Sequence, residues 1–335
     1  MARKTRMIVV GAGGMARNHI RRLLLQRDTT RIVALCEPSD AAYRTTAQVF
    51  KESGLRPPPN QPDLEKLLAE REGEIDAAFI ITPHAYHHMQ ASMCLEAGLD
   101  VLLEKPMVMN AEEARSLIRT RDRTGRILTV AFQSALSPYM NRAVEMIRSG
   151  SVGPLVAIHA SVWQSWKTEQ TGTWRQDPKL SGGGFLFDTG AHMLNTIVRL
   201  ADEDFDEVAA WMDSRGAPVD IVTAAMGRLK SGTMVTIGAC GDTATSCAAS
   251  VKAFCTGAIL ETDVWGAWLR VHKQGSSRFV PVKTLPSLGV WEQFLAVRSG
   301  AIANPSPPEL GLRLALLWDA IQESARQGGK PVKCS

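Results

Sequence analysis

The feature that most constrains this chain is an apolar run that stops on glycines. Met7-Ile8-Val9-Val10 leads straight into Gly11-Ala12-Gly13-Gly14-Met15-Ala16, and a stretch of helical character follows over 17–25. This reads as strand, tight turn, helix. In the spacing G-x-G-x-x-A, Gly11 permits the turn and Gly13 lets the backbone approach a pyrophosphate. Small Ala16 lets helix and strand pack closely. Gly14 and Met15 belong to the same loop, and the helix that follows begins with N–H groups that have no partner inside it and suit phosphate oxygens. Glu37 follows the next apolar run, 21 residues after Ala16, where a carboxylate would hold a ribose 2′-hydroxyl. The pattern predicts a bound dinucleotide, NAD rather than NADP, since a 2′-phosphate favours a neutral or basic residue there. The plain alternatives are a structural turn and a solvated strand-end carboxylate.

The alternation continues to residue 132. Strands are predicted at 31–36, 76–81, 100–103 and 127–132. Helices are predicted at 41–53, at 62–70, between the third strand and Gly98, and from Asn110 to Gly125, where Asn110 and Glu113 form a helix-opening pair. Leu55-Arg56-Pro57-Pro58-Pro59-Asn60 must be a loop, because proline continues neither helix nor central strand. Apolar strands alternating with helices imply a doubly wound parallel sheet of the Rossmann type. Beyond about 134 the pattern changes. A helix is predicted at 139–148, then strands at 155–163, 207–212, 221–229, 234–239, 251–254, 258–262 and 267–272. This is an α+β domain with a large, mostly antiparallel, open-faced sheet. The tail, 309–327, is an amphipathic helix expected to pack back toward the first domain. The expected domains are 1–132 for the dinucleotide and 133–335 for substrate and oligomer contacts.

Composition narrows the class. The chain has 335 residues, 45% of them hydrophobic and 21% charged, which excludes disorder. Its 38 basic and 34 acidic residues leave a net charge of +4, spread along the chain, so neither nucleic acid nor an anionic membrane is the expected partner. The apolar runs are far shorter than the roughly 20 residues that cross a bilayer. The basic start, Met1 to Arg6, is followed by too short an apolar stretch for a signal peptide. The expectation is a cytoplasmic protein. Six cysteines without a C-x-x-C pattern read as buried thiols. His84 and His88 stand at i,i+4 with no third ligand in view, so no metal is expected.

Further motifs carry a resemblance. Ile81-Thr82-Pro83 with His87 is followed by Ala97-Gly98, Val101 and Glu104-Lys105-Pro106. Later come Thr173-Trp174-Arg175, the string Gly182-Gly183-Gly184-Phe185-Leu186-Phe187-Asp188-Thr189-Gly190-Ala191-His192, and Gly311-Leu312-Arg313. Together these resemble the Gfo/Idh/MocA family of glucose–fructose oxidoreductase and inositol dehydrogenase type, over nearly the whole chain. The resemblance implies a two-domain NAD(P)-dependent oxidoreductase acting on sugars and cyclitols. It places the pyrophosphate loop on Gly11, Gly13 and Ala16 and the ribose carboxylate on Glu37. Thr82, Pro83, His87 and Gln133 are expected along the cofactor, with Glu104 near the nicotinamide ribose and Trp174 and Arg175 near the nicotinamide end. Lys105 would face the reacting carbon, and Asp188 and His192 would be the catalytic pair. A homodimer or homotetramer through the outer face of the second sheet is also implied. Phe132-Gln133-Ser134-Ala135-Leu136 lacks the positive charge that many members carry there, which argues against a phosphorylated substrate.

Oxidising a secondary alcohol requires a hydride acceptor, a base for the hydroxyl proton and a group that steadies the developing alkoxide. His192 suits proton transfer near neutral pH, Lys105 can hydrogen-bond the reacting oxygen, and Asp188 at i,i+4 can orient the imidazole. Trp163, Trp166 and Lys167 read either as core and rim or as a platform for a sugar's C–H face. Trp265, Trp268 and Trp291 read as sheet and interface packing. Two other functions fit the same residues: glycoside cleavage through oxidation and elimination with NAD recycled in place, and a non-catalytic NAD-sensing regulator.

Overall fold

The structure is a computed structural model that describes residues 3–244 and 247–335. It divides into two compact units. The first comprises residues up to Met107, Arg115–Ala131 and Gly289–Pro308; the second comprises Val108–Ala114, Phe132–Leu288 and Glu309–Ser335.

The first unit is built on β1 (Thr5–Val10), α1 (Gly14–Leu23), β2 (Thr30–Cys36), α2 (Asp40–Glu52), α3 (Leu64–Glu70), β3 (Ala77–Ile80), α4 (His87–Glu96), β4 (Asp100–Leu103), β5 (Leu128–Val130) and, from Arg115 on, α5 (Ala111–Thr124). The strands lie parallel in the order β2-β1-β3-β4-β5. Burial on both faces explains their composition: Met7, Ile8, Val9 and Val10 are all fully buried, as are Phe79 and Leu102. Ile20 and Leu23 of α1 and Phe50 of α2 pack on that core. The prolines at 57–59 leave the segment beside β2 with a single bridge, Leu35 to Asn60, because proline has no N–H to extend the ladder. Helix α5 opens as the sequence predicts: Asn110 Oδ1 accepts the Glu113 N–H, and the Glu113 carboxylate reaches back to the Met109 N–H.

The second unit begins with α6 (Pro138–Arg148) and β6 (Leu155–Trp163). Three short helices and a longer one follow: α7 (Trp166–Glu169), α8 (Pro178–Ser181), α9 (Phe185–Asp188) and α10 (Gly190–Ala201). Then come β7 (Phe205–Asp213), β8 (Val222–Leu229), β9 (Met234–Cys240), β10 (Ala248–Cys255), β11 (Ala258–Thr262), β12 (Leu269–Lys273) and β13 (Val280–Pro281). With the last strand, β14 (Val332–Lys333), they form one sheet in the order β13-β12-β11-β10-β6-β9-β8-β7-β14. Every neighbour is antiparallel except β6 and β9, which run parallel. Along β8 burial alternates strictly, so one face is covered and the other is open. Trp166, Phe185, Phe187 and Leu194 fill the covered side's core.

Two late helices are α11 (Val290–Arg298) and α12 (Pro308–Arg326). The sequence reading missed α11. It puts Trp291 into the first unit's core, against Phe79 and with its indole N–H on Thr30 Oγ1, so this tryptophan is not part of the second sheet as expected. In the second unit, Trp318 of α12 stacks on Phe187, and the Asp319 carboxylate accepts the Ala111 N–H. The thiols are only partly as expected: Cys36, Cys94 and Cys255 are buried, Cys240 and Cys334 half-buried, and Cys247 exposed. Among the described residues no helix is long and apolar enough to cross a membrane, and no cluster could hold a metal ion.

Candidate active site

The glycine loop is fixed from beneath and open above. Gly11 has φ +92°, and a Cβ there would lie 2.4 Å from the Ile81 carbonyl oxygen, so only glycine fits. At Gly13 a Cβ would meet nothing within 4 Å. That open space, beside the N–H groups that begin α1, is the cradle a pyrophosphate requires, and Gly13, Gly14 and Met15 are all exposed around it. Ala16 is fully buried where helix meets strand. Glu37 closes over the loop: its Oε2 accepts the Ala12 N–H at 2.7 Å and its Oε1 the Ser39 N–H at 2.8 Å. Asn60 holds the Glu37 backbone through both its own amide oxygen and its amide nitrogen. These residues fit a dinucleotide.

At the end of β4 stand Glu104, Lys105 and Pro106. Glu104 is buried, yet its Oε1 lies 2.7 Å from His19 Nε2 and its Oε2 accepts the Lys105 N–H at 3.0 Å. Burial alone would push this carboxyl up. The hydrogen bond and charge of His19, then the charge and N–H of Lys105, outweigh it and hold the carboxyl below the usual range. Thr82 and Pro83 are half-buried, and the Thr82 hydroxyl bonds to Gln90. His87 does not line a channel: it is fully buried, with Nδ1 2.8 Å from the Pro106 carbonyl and Nε2 3.0 Å from that of Thr82. Burial pushes its pKa down, so near neutral pH the ring carries one N–H and donates to one of these two oxygens. The His87 ring therefore packs between the chain at 82 and the chain at 106.

In the second unit, Asp188 ends α9 and His192 lies in the first turn of α10. Thr189 between them keeps right-handed helical dihedrals, so the i,i+4 relation survives the boundary. The Asp188 carboxylate is buried and its Oδ2 accepts two hydrogen bonds, from Trp166 Nε1 at 2.8 Å and from Arg175 Nε at 3.0 Å. The Arg175 guanidinium also lies over the Trp174 ring, 4.6 Å from its centre. The His192 ring sits between Phe132, met edge-on, and Trp265, each with ring centres 6.2 Å away. Gln133 is exposed nearby in sequence. Among the expected substrate contacts, Trp163 is half-buried and Lys167 pairs with Asp242. Trp166 cannot serve as a sugar platform, because the residue is 1% exposed and its ring is tilted against Phe185. Its indole N–H instead satisfies Asp188. Sequence reasoning also missed His19 and Asp220. The half-buried Asp220 carboxylate accepts the Gly184 and Leu186 N–H groups, which fixes the start of α9.

Comparison with known proteins agrees with this geometry. Residues 5–132 match the oxidoreductase family with an NAD-binding Rossmann fold, and residues 140–261 match the GFO/IDH/MocA C-terminal domain. The chain is 26% identical over 190 residues to D-glucoside 3-dehydrogenase of Escherichia coli strain K12, covering 57% of this chain and 52% of that protein. It is 29% identical over 163 residues to inositol 2-dehydrogenase of Corynebacterium glutamicum strain R, covering 47% of this chain and 45% of that protein. The matched stretch thus spans about half the length of these relatives. Among solved structures, levoglucosan dehydrogenase in complex with NADH and levoglucosan superposes with a TM-score of 0.85 at 20% identity, over 99% of this chain and 100% of that one. An inositol dehydrogenase homolog complexed with NAD+ from Azotobacter vinelandii gives 0.84 at 21% identity, over 99% of this chain and 98% of that one. At such identities the likeness is one of fold.

Proposed function

Because this chain belongs to the GFO/IDH/MocA oxidoreductase family, we propose that it is an NAD-dependent dehydrogenase of a secondary alcohol on a sugar, cyclitol or glycoside. The first unit is the dinucleotide-binding domain and the second the substrate domain. Gly11, Gly13, Gly14, Met15 and Ala16 receive the pyrophosphate, and Glu37 the adenosine ribose. When bound, NAD supplies the hydride acceptor. Lys105 hydrogen-bonds the reacting oxygen. His192 takes the hydroxyl proton at a ring nitrogen, and Asp188, one turn away, helps hold it in place. Arg175 and Trp166 aim the Asp188 carboxylate by donating to it from two sides, and the Arg175 charge balances its own. The single observation that carries this reading is the pairing of an open glycine cradle under Glu37 in one unit with a charge-balanced, buried Asp188 beside His192 in the other. The relatives named D-glucoside 3-dehydrogenase and inositol 2-dehydrogenase support a polyhydroxylated ring as substrate.

The test is NADH formation by purified protein across a panel of sugars, inositols and glycosides. One or more should be oxidised. His192→Ala should bind NAD as the wild type does and lose about 100-fold to 10,000-fold in turnover, the usual worth of a positioned acid–base group. Near-normal turnover in that variant would overturn the assignment of His192. Tightly retained NAD with glycoside cleavage and no net NADH would replace the dehydrogenase reading with the recycling one.

A further inference from the structure

We infer that His19 is a positioning residue for Lys105, acting through the carboxylate of Glu104. The inference rests on the assignment of Lys105 to the reaction. His19 lies in α1, one turn past the glycine loop, with its ring tilted against Phe79 at 4.7 Å between centres. Its Nε2 is 2.7 Å from Glu104 Oε1, and the other carboxylate oxygen accepts the Lys105 N–H at 3.0 Å. The Glu104 N–H is itself bound to the Ile80 carbonyl at 2.9 Å. On the far side of Lys105, the Pro106 carbonyl lies 2.8 Å from His87 Nδ1. The upstream hold on the lysine's backbone depends on where the Glu104 carboxylate points. His19 fixes that direction.

Stability does not explain this arrangement. A buried carboxylate–imidazole contact gains at best little over a well-packed apolar pair, because both groups lose their hydration. What it provides is a fixed carboxylate, one residue from the lysine that meets the substrate. The charged and titratable groups facing Glu104 are His19 from α1, His87 from α4 and Lys105 beside it in the chain. Removing His19 takes away the largest of the influences that hold the Glu104 carboxyl down, so burial then raises it. A protonated Glu104 would lose its charge and keep only its carbonyl oxygen as a good acceptor, which weakens and redirects its hold on the Lys105 N–H.

The experiment compares His19→Leu with His19→Gln, whose amide can still donate to Glu104. His19→Leu should lower kcat by about 10-fold to 100-fold, the scale of a displacement of roughly 1 Å in a catalytic group. It should leave NAD affinity within about twofold, since it spares the loop and Glu37. Its acid-side activity limb should move to higher pH, because Glu104 then protonates earlier. His19→Gln should restore most of kcat and the original limb. A second readout needs no substrate: the rate and pH dependence with which pyridoxal phosphate and borohydride label Lys105, read by peptide mapping. His19→Leu should change both and His19→Gln should restore them. If His19→Leu does not fold, His19→Asn, too short to reach Glu104, takes its place. Wild-type kcat, limb and Lys105 labelling in the folded variant would overturn the inference. Altered labelling in a protein that oxidises nothing on the panel would uphold His19 while refuting the proposed reaction.

Discussion

Glu37 uses both carboxylate oxygens on backbone N–H groups, one of them inside the glycine loop. A ribose 2′-hydroxyl can share such an oxygen by donating to it, whereas a 2′-phosphate brings negative charge against a fixed carboxylate. The wild type is therefore expected to bind NAD more tightly than NADP. Glu37→Ala should narrow that preference by about tenfold, or about 1.4 kcal/mol. Titration of both cofactors into both proteins checks it, and equal affinities in the wild type would remove Glu37 from the ribose site. Trp166 shows where residue-level reading of the sequence stops. A core tryptophan and a sugar platform have the same side chain, and only the position of its indole partner separates them. That partner, Asp188, lies 22 residues further on, a distance no local pattern spans. His19 was invisible for the same reason: its partner is 85 residues away.

Among the elements, the turn at Gly182-Gly183-Gly184 bears most directly on the chemistry. A Cβ on Gly184 would lie 1.9 Å from the Asp220 carbonyl oxygen, and the Gly184 N–H is bound to the Asp220 carboxylate. The glycine is required by close approach of two backbones. Gly184→Ala should destabilise the protein by about 1–3 kcal/mol in urea unfolding, as overpacking does. It should also reduce turnover by displacing α9, and with it Asp188, while NAD binding persists. Unchanged stability would show that the Asp220 loop yields. Period-two strands such as β8 were legible, because an open sheet face imposes alternation along the chain. Helix α11 was not. Val290, Trp291, Phe294, Leu295 and Val297 fall on one side of it, but Arg298 stands among them and polar Gln293 is buried on the other, so over nine residues the helical period is blurred. The four-residue helices α7, α8 and α9 are too short to show any period, and tertiary contacts such as the Asp220 clamp hold α9 in place.

At the scale of the whole molecule, the uncovered sheet face is the prominent feature. Cross-strand pairing puts Trp211 beside Ala224, Ala209 beside Met226, and Met226 beside Thr236, so these side chains share one face. Met234, paired with Ala157, joins them. Trp211 is 56% exposed, Met226 52% and Met234 41%, among residues as small as Ala209, Ala224 and Gly238. Three large apolar side chains beside small ones, with the Arg228–Glu207 ion pair on the same face, suit a self-complementary interface. A homodimer or homotetramer formed through this face is expected at micromolar concentration, and Met226→Glu should shift it to smaller species in light scattering. A wild type that scatters as a monomer would refute this.

The one parallel pair, β6 with β9, also bears on how the sheet comes into being. Strands β7, β8 and β9 are a meander of neighbours in sequence, and so are β10, β11 and β12. Each can zip up from its own turns with little loop-closure entropy. Neither touches the other, and the strand that joins them was laid down earlier in the chain, with Ala157 finding Met234 on one side and Phe254 on the other. Those pairings close loops of tens of residues, so they come late and slowly relative to the hairpins. Until β6 arrives, both meanders expose an inner strand edge, which makes this interval the period in which the chain is most open to pairing with another copy of itself.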